Sequence, residues 1–241
     1  MSSDNEDMEN TIDDLVLTIR GRWDKLGCFE TDDGAFATGH ISDAGPHAYL
    51  CRFYAGLSDR GLDDAEAESQ RYLPPSYRDF LKSFNGARVM GISLHGATGG
   101  QNTRAITGIG QPVSIRYQNA SYTRPGFIPE GHFSLGAMNG PYYSQGHLYM
   151  TSLGEVELIN RDHNMIAKTW PSFTGFLKQE IPRQMSRYDN AGRETGSVEP
   201  LPGNTDDWEM LARKQSDKKK NENTVWYKVT RKLQTFRRSK P

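Results

Sequence analysis

The stretch LPPSYRDFLKSFNG, residues 73–86, decides the fold. Pro74 and Pro75 suit the N-cap and first turn of a helix, where no backbone donor is needed. Tyr77, Phe80, Leu81 and Phe84 follow at i, i+3, i+4 and i+7, which puts all four on one helical face. Asn85 and Gly86 close the pattern, Gly86 being suited to the left-handed conformation of a C-cap. The spacing predicts an amphipathic helix laid on a core, with both ends marked.

Upstream, DRGLDDAEAESQRY (59–72) combines helix formers with Leu62 and Ala65, and predicts a helix starting near Leu62 with Asp63 and Asp64 in its first turn. Downstream the pattern turns to strands. Val89–Leu94 reads as one strand, 95–110 as a Gly/Thr-rich loop, and Val113, Ile115 and Tyr117 alternate as a half-buried strand does. Residues 118–131 read as loop, His132–Leu135 as a short strand, and GAMNGPYYSQG (136–146) as turn. LYMTSLGEVELI (148–159) has the form of a hairpin centred on Ser152–Gly154, with Glu155 and Glu157 on its solvent side. Ser172 caps a closing helix whose stripe is Phe173, Phe176, Leu177 and Ile181, with Pro182 just past its end. Helices, then strands, then a helix argue for an α+β fold, a single domain with a mixed or antiparallel sheet flanked by helices, and against a repeating βαβ unit.

Around this domain, placed at 59–185, the reading expects an acidic, disordered end at 1–11, an N-terminal extension of the core at 12–58, and a polar then basic, partly disordered tail at 186–241. Ile12, Leu15, Val16 and Ile19 recur at helical spacing, and 27–47 reads as turns around one or two short strands. The net charge of -1 conceals an asymmetry. Residues 211–241 hold eleven Lys and Arg against Asp217 and Glu222, a charge of +9, and -1 minus +9 leaves -10 on residues 1–210. Such segregation bears on partners and solubility rather than on fold.

Composition excludes several classes. With 35% apolar residues and no run of about 18 consecutive apolar residues, the chain offers no membrane-spanning helix. The opening MSSDNEDMEN is acidic and polar where an export signal is basic and then apolar. Cys28 and Cys51 are the only cysteines, too few for a disulfide scaffold and outside any zinc spacing, so a cytoplasmic setting is expected. The six histidines form no HExxH or i, i+4 pair, although His132 and His147 flank one loop, and no metal ligand set is expected. GISLHG (91–96) departs from a nucleophile elbow at His95; Ser93 and His95 share a strand face through alternation alone. No phosphate-binding glycine loop has the right spacing. No catalytic residues and no cofactor are expected.

Three motifs in order carry a resemblance. Leu73-Pro74, Tyr77, Phe80-Leu81 and Asn85-Gly86 resemble the LPxxYxxFLxxxNG element of the SMI1/KNR4 family, the SUKH superfamily; Gly154-Glu155-Val156 resembles its GxV hairpin centre, and Ser172-Phe173 with Phe176-Leu177 its SFxxFL helix. The resemblance covers about residues 60–181. It implies a SUKH-like α+β domain that binds proteins without catalysis, its signature residues acting as fold determinants. Many bacterial members are immunity proteins against polymorphic or contact-dependent toxins, often nucleases or deaminases; fungal members are intracellular regulators. A toxin-binding immunity protein is therefore expected, with a regulatory scaffold as the alternative. The -10 body suits the basic surface of a nuclease. Loop aromatics Tyr117, Tyr122, Phe127, Tyr142 and Tyr143 are the expected partner contacts. Nucleic-acid contact is confined to the basic tail 211–241, where Trp226, Tyr227 and Phe236 are interleaved.

Overall fold

The computed structural model describes residues 3–98, 110–119, 128, 130–139, 145–160 and 165–203. Among them five helices and ten strands make a mixed α+β domain. The strands are β1 (Cys28–Glu30), β2 (Phe36–His40), β3 (Tyr49–Ala55), β4 (Phe84–Val89), β5 (Ile92–Gly96), β6 (Val113–Ser114), β7 (Phe133–Asn139), β8 (Gln145–Met150), β9 (Val156–Asn160) and β10 (Met165–Trp170). They pair in the order β1-β2-β3-β4-β5-β7-β8-β9-β10, while β6 pairs with β5. Every pairing on the main path is antiparallel, and only the short β5–β6 pair is parallel.

Register explains which side chains meet the helices. Phe36, Phe53, Ala87, Leu94, Gly136, Leu148 and Leu158 stand opposite one another in one row across seven strands. Apart from Gly136 all belong to the main core. Helices α1 (Ser3–Trp23), α3 (Pro75–Ser83) and α5 (Phe173–Ser186) pack together and supply Trp23, Tyr77, Phe80, Phe173 and Phe176 to that core. The neighbouring row, Ala37, Arg52, Arg88, Ser93, Ala137, His147 and Ile159, points to the opposite face, as period two requires. Helices α2 (Asp59–Ser69) and α4 (Ile115–Asn119) pack against each other, and α4 against β7.

At the N-terminus the structure departs from a frayed end. Helix α1 begins at Ser3, because the apolar period extends back to Met8, and Met8, Ile12, Ile19 and Trp23 are all buried. Asp7 adds an ion pair to Lys178 at 2.9 Å. The segment 12–58 shares the core and completes the sheet through β1, β2 and β3.

Helix α3 ends at Ser83, two residues before the asparagine. Phe84 is already extended (φ -142, ψ 122), so Asn85 and Gly86 lie in β4 and not in a C-cap. Phe53 opposes Ala87 and Ala55 opposes Phe84, so the two residues Asn85 and Gly86 face Tyr54 alone and form a β-bulge. Gly86 takes the positive φ (+82) that such a bulge needs, and a Cβ there would stand 2.8 Å from the Leu94 carbonyl oxygen. The Asn85 amide accepts from Ala97 N (2.6 Å) and donates to Ala97 O (3.1 Å), replacing ladder bonds.

Four more elements differ from the sequence reading. Val89–Leu94 is two strands, split by a turn at Met90 (φ +54) that is held by Met90 N donating to Leu50 O. The alternating Val113, Ile115 and Tyr117 give way to a two-residue strand and α4, because the side-chain amide of Asn119 donates to Ile115 O and clasps both backbone groups of Ser134. Strand β7 runs through to Asn139 and β8 starts at Gln145, where a turn was expected; β10 is additional. Pro182 lies inside α5, since burial of Ile181, Gln184 and Met185 carries the helix through it. Residues 186–203 dock rather than trail: Leu201 is buried, and Arg183 and Gln184 donate to the Pro200 carbonyl. The basic tail 211–241 lies outside the described residues.

Candidate functional site: a groove between two motif segments

The first motif begins at a sharp crossing from α2 to α3. Gln70 terminates α2 in the left-handed conformation, and two bonds then pin the connection. The Arg71 guanidinium donates to His132 O (2.8 Å), and Leu73 N donates to the Glu66 carboxylate (3.0 Å). Leu73 is thereby buried and Tyr72 thrown outward, 90% exposed. Pro74 is the extended N-cap and Pro75 the first helical residue.

The hairpin of the second motif closes through Thr151 N donating to Glu155 O (2.9 Å) and Gly154 N donating to Thr151 O (3.0 Å), with Gly154 at φ +85. Its tip residue Leu153 is 84% exposed. These two segments form opposite walls of an open groove of about 700 Å³, floored by Phe133 and Met150. Tyr72 and Leu153, the two most exposed large apolar side chains of the described residues, both line it. Single exposed apolar residues are ordinary, but two flanking one apolar-floored groove mark a contact surface.

Polar side chains also line it: Arg71, Ser76, Asp79, His132, Thr151 and Ser152. His132 Nε2 and the Glu157 carboxylate pair at 3.0 Å, and the Tyr149 ring meets His132 edge-on. Glu157 is accordingly not on the solvent side: its side chain is 13% exposed. His132 finds Glu157 rather than the other histidine of its loop, His147. Asp79 also lines the groove, one turn into α3 from Pro75, and its carboxylate has no hydrogen-bond or ion-pair partner among the described residues.

Of the sequence-derived partner contacts, Tyr117 stands 63% exposed on α4, away from the groove lining. Tyr122, Phe127, Tyr142 and Tyr143 lie outside the described residues. Sequence reasoning missed Tyr72, Leu153 and Asp79, and the available signal was their adjacency to the two motifs. The motif residues Leu73, Tyr77, Phe80, Leu81, Phe173, Phe176 and Leu177 are all buried. Among the described residues Ser93 Oγ has no hydrogen-bond partner, so no nucleophile–base contact joins it to His95. Among the described residues no group of three or more His, Cys, Asp or Glu could hold a metal, and no helix is long and apolar enough to cross a membrane.

The groove joins the LPxxY and GxV segments, which both fall inside the range matched by a known family. The model of the SMI1 / KNR4 family (SUKH-1) matches residues 56–179, from just before α2 into α5. None of the curated proteins compared matches the chain. The family match covers 124 of the 241 residues, a little over half, and includes all three motifs. The chain belongs to the SMI1 / KNR4 family (SUKH-1).

Proposed function

We propose that this protein is a cytoplasmic immunity protein, which neutralises a cognate toxin of the nuclease or deaminase kind by binding it directly. The observation that carries this reading is the groove: two exposed apolar anchors, Tyr72 and Leu153, flank the apolar floor of Phe133 and Met150 between two motif segments. Aromatic side chains that become buried on binding, tyrosine among them, dominate protein interfaces. The -10 charge of residues 1–210 supports the same reading, since a toxin that handles nucleic acid presents a basic surface and opposite charge raises the encounter rate. The chain acts as a plug and not as a catalyst.

Co-expression with the toxin encoded beside it tests the proposal. The full chain restores growth and inhibits the purified toxin at stoichiometric ratio. Deleting residues 211–241 leaves protection intact, because the acidic body does the binding. A toxin neither bound nor inhibited at about micromolar protein, a concentration corresponding to about -8 kcal/mol, overturns the reading. Recovery of an intracellular regulatory partner in its place would support the scaffold alternative.

A further inference from the structure

Helix α1 carries a face that the toxin reading does not use. Its buried stripe is Met8, Ile12, Ile19 and Trp23, whereas Leu17, on the other side, is 71% exposed. Val16, Leu17 and Gly21 form the apolar centre of an open depression of about 720 Å³, rimmed by Asp13, Arg20, Asp24 and Lys25. It shares no lining residue with the groove. Arg20 is occupied, since its guanidinium pairs with Asp24 and with Glu30 at 3.0 Å each. The acids further along the helix are not: Glu9, Asp13 and Asp14 are exposed, and their carboxylates have no hydrogen-bond or ion-pair partner among the described residues. Over its length α1 holds six acids against Arg20 and Arg22, a charge of -4.

A segment of opposite charge leaves the body beside this helix. The Pro200 carbonyl accepts from Gln184 of α5 (2.8 Å), Leu201 is buried, and the last described residue is exposed Gly203. One residue along α5, the Met185 carbonyl accepts from Arg22 in the last turn of α1 (3.0 Å). The 22 residues between Gly203 and Trp226 span up to about 70 Å when extended, and α1 is about 31 Å long, so every part of α1 is within reach. In residues 226–236, Trp226, Val229, Leu233 and Phe236 recur at i, i+3, i+7 and i+10, the spacing of one apolar helical seam. Lys228, Arg231 and Lys232 fall between them, with no acid.

We infer that residues 226–236 dock on this face of α1 in the same chain, their apolar side chains over Val16 and Leu17 and their cations toward Glu9, Asp13 and Asp14. Exposed ion pairs by themselves hold little, so the apolar centre anchors the contact and the charges orient it. Tethering makes the contact intramolecular, at an effective concentration on the order of millimolar, which populates a contact too weak to persist between separate molecules. Docking joins the two charge blocks that the net charge of -1 conceals, at a place apart from the groove.

The test places a nitroxide on Cys28 of the full chain, the exposed thiol, Cys51 being buried. Cys28 lies two residues along β1 from Glu30, to which Arg20 of the depression is bonded. Amide signals of residues 226–236 are expected to broaden, relative to the reduced label, more than those of the tail on either side. Leu17→Lys replaces the anchor with a like charge at an exposed position and restores most of the lost intensity, and Leu233→Lys does the same from the tail side. Glu68→Lys, on the exposed side of α2, leaves the broadening as it is. Salt at about 1 M, where the Debye length is about 3 Å, reduces it. The proposal is overturned by an unbroadened tail, by even broadening along 211–241, or by broadening that neither Leu17→Lys nor salt reduces. Broadening of an isotope-enriched chain without nitroxide, mixed with the spin-labelled one, overturns it as well, because the occupant is then a second copy.

Discussion

The hydroxyl of Tyr77 lies 2.6 Å from the carbonyl oxygen of His95 and 3.0 Å from that of Leu135, so one phenol from α3 ties β5 to β7. Tyr77 is fully buried, and its ring packs against Phe80 and Phe173. The motif tyrosine therefore does more than fill space: its single hydroxyl proton is shared between two carbonyls at the place where β6 and β7 both pair with β5. Tyr77→Phe keeps the packing and strands the carbonyls, at a cost of about 1–3 kcal/mol. Urea denaturation reads this as a lower midpoint with an unchanged slope. A loss below about 0.5 kcal/mol would mean that these carbonyls are satisfied by other groups.

Two glycines should respond in opposite directions to alanine. At Gly86 the backbone is left-handed and the new Cβ would press on the Leu94 carbonyl at 2.8 Å, so Gly86→Ala destabilises by more than about 1 kcal/mol. Gly21 lies in α1 with nothing within 4 Å of a new Cβ, so Gly21→Ala stabilises by about 0.5–1 kcal/mol. Thermal melts of both variants beside the parent check the pair.

Alkaline pH should lower the stability of the fold, first above about pH 9 and more steeply above about pH 10. Burial pushes the Cys51 thiol up from its ordinary 9.0 and the Tyr77 phenol up from its ordinary 10.0. Above those ordinary values the unfolded chain has released protons that the folded chain retains. It then binds fewer protons than the folded state, and stability falls as pH rises. The Cys51 contribution is intact below about pH 9 and declines above it, and that of Tyr77 begins to decline near pH 10. Melting temperatures between about pH 7 and pH 11 should show the decline, with Cys51→Ala flattening its first part. Thiol labelling gives an independent check, since exposed Cys28 should react in the native state and buried Cys51 only after unfolding.

Variants of the groove should separate binding from stability. Tyr72→Ala and Leu153→Asp alter exposed side chains, so each shifts stability by less than about 0.5 kcal/mol. Each weakens the toxin complex by about 2 kcal/mol, roughly thirtyfold, if it is a central anchor. Asp79→Ala removes a carboxylate that has no partner among the described residues and selectively weakens a partner that brings a cation to the groove. Calorimetric titration of the toxin, paired with denaturation of each variant, distinguishes an anchor from a bystander.

Much of this arrangement was legible in the chain. Pro74-Pro75 and the Tyr77/Phe80/Leu81 spacing specify a helix and its buried face, Ser172 caps α5 by accepting from Gly175 N, and Gly154 marks the hairpin turn. These are local devices, in which residues within about one turn of each other decide the backbone. The charge division between residues 1–210 and 211–241 is likewise readable by counting.

Whatever depends on a partner distant in the chain required the tertiary structure. Ile115 and Tyr117 alternate as a strand would, but Asn119 clasping Ser134 makes the segment helical. Asn85-Gly86 has the chemistry of a helix end, and the register of β3 turns it into a bulge. Met8 belongs to an acidic polar stretch and is buried because α1 lies along α5. The sequence by itself determined the helical face, the hairpin turn at Gly154 and the family. Tertiary packing decided that Tyr72 and Leu153 line one groove and that Arg52 faces Arg88, because sheet register joins residues that no local pattern can relate.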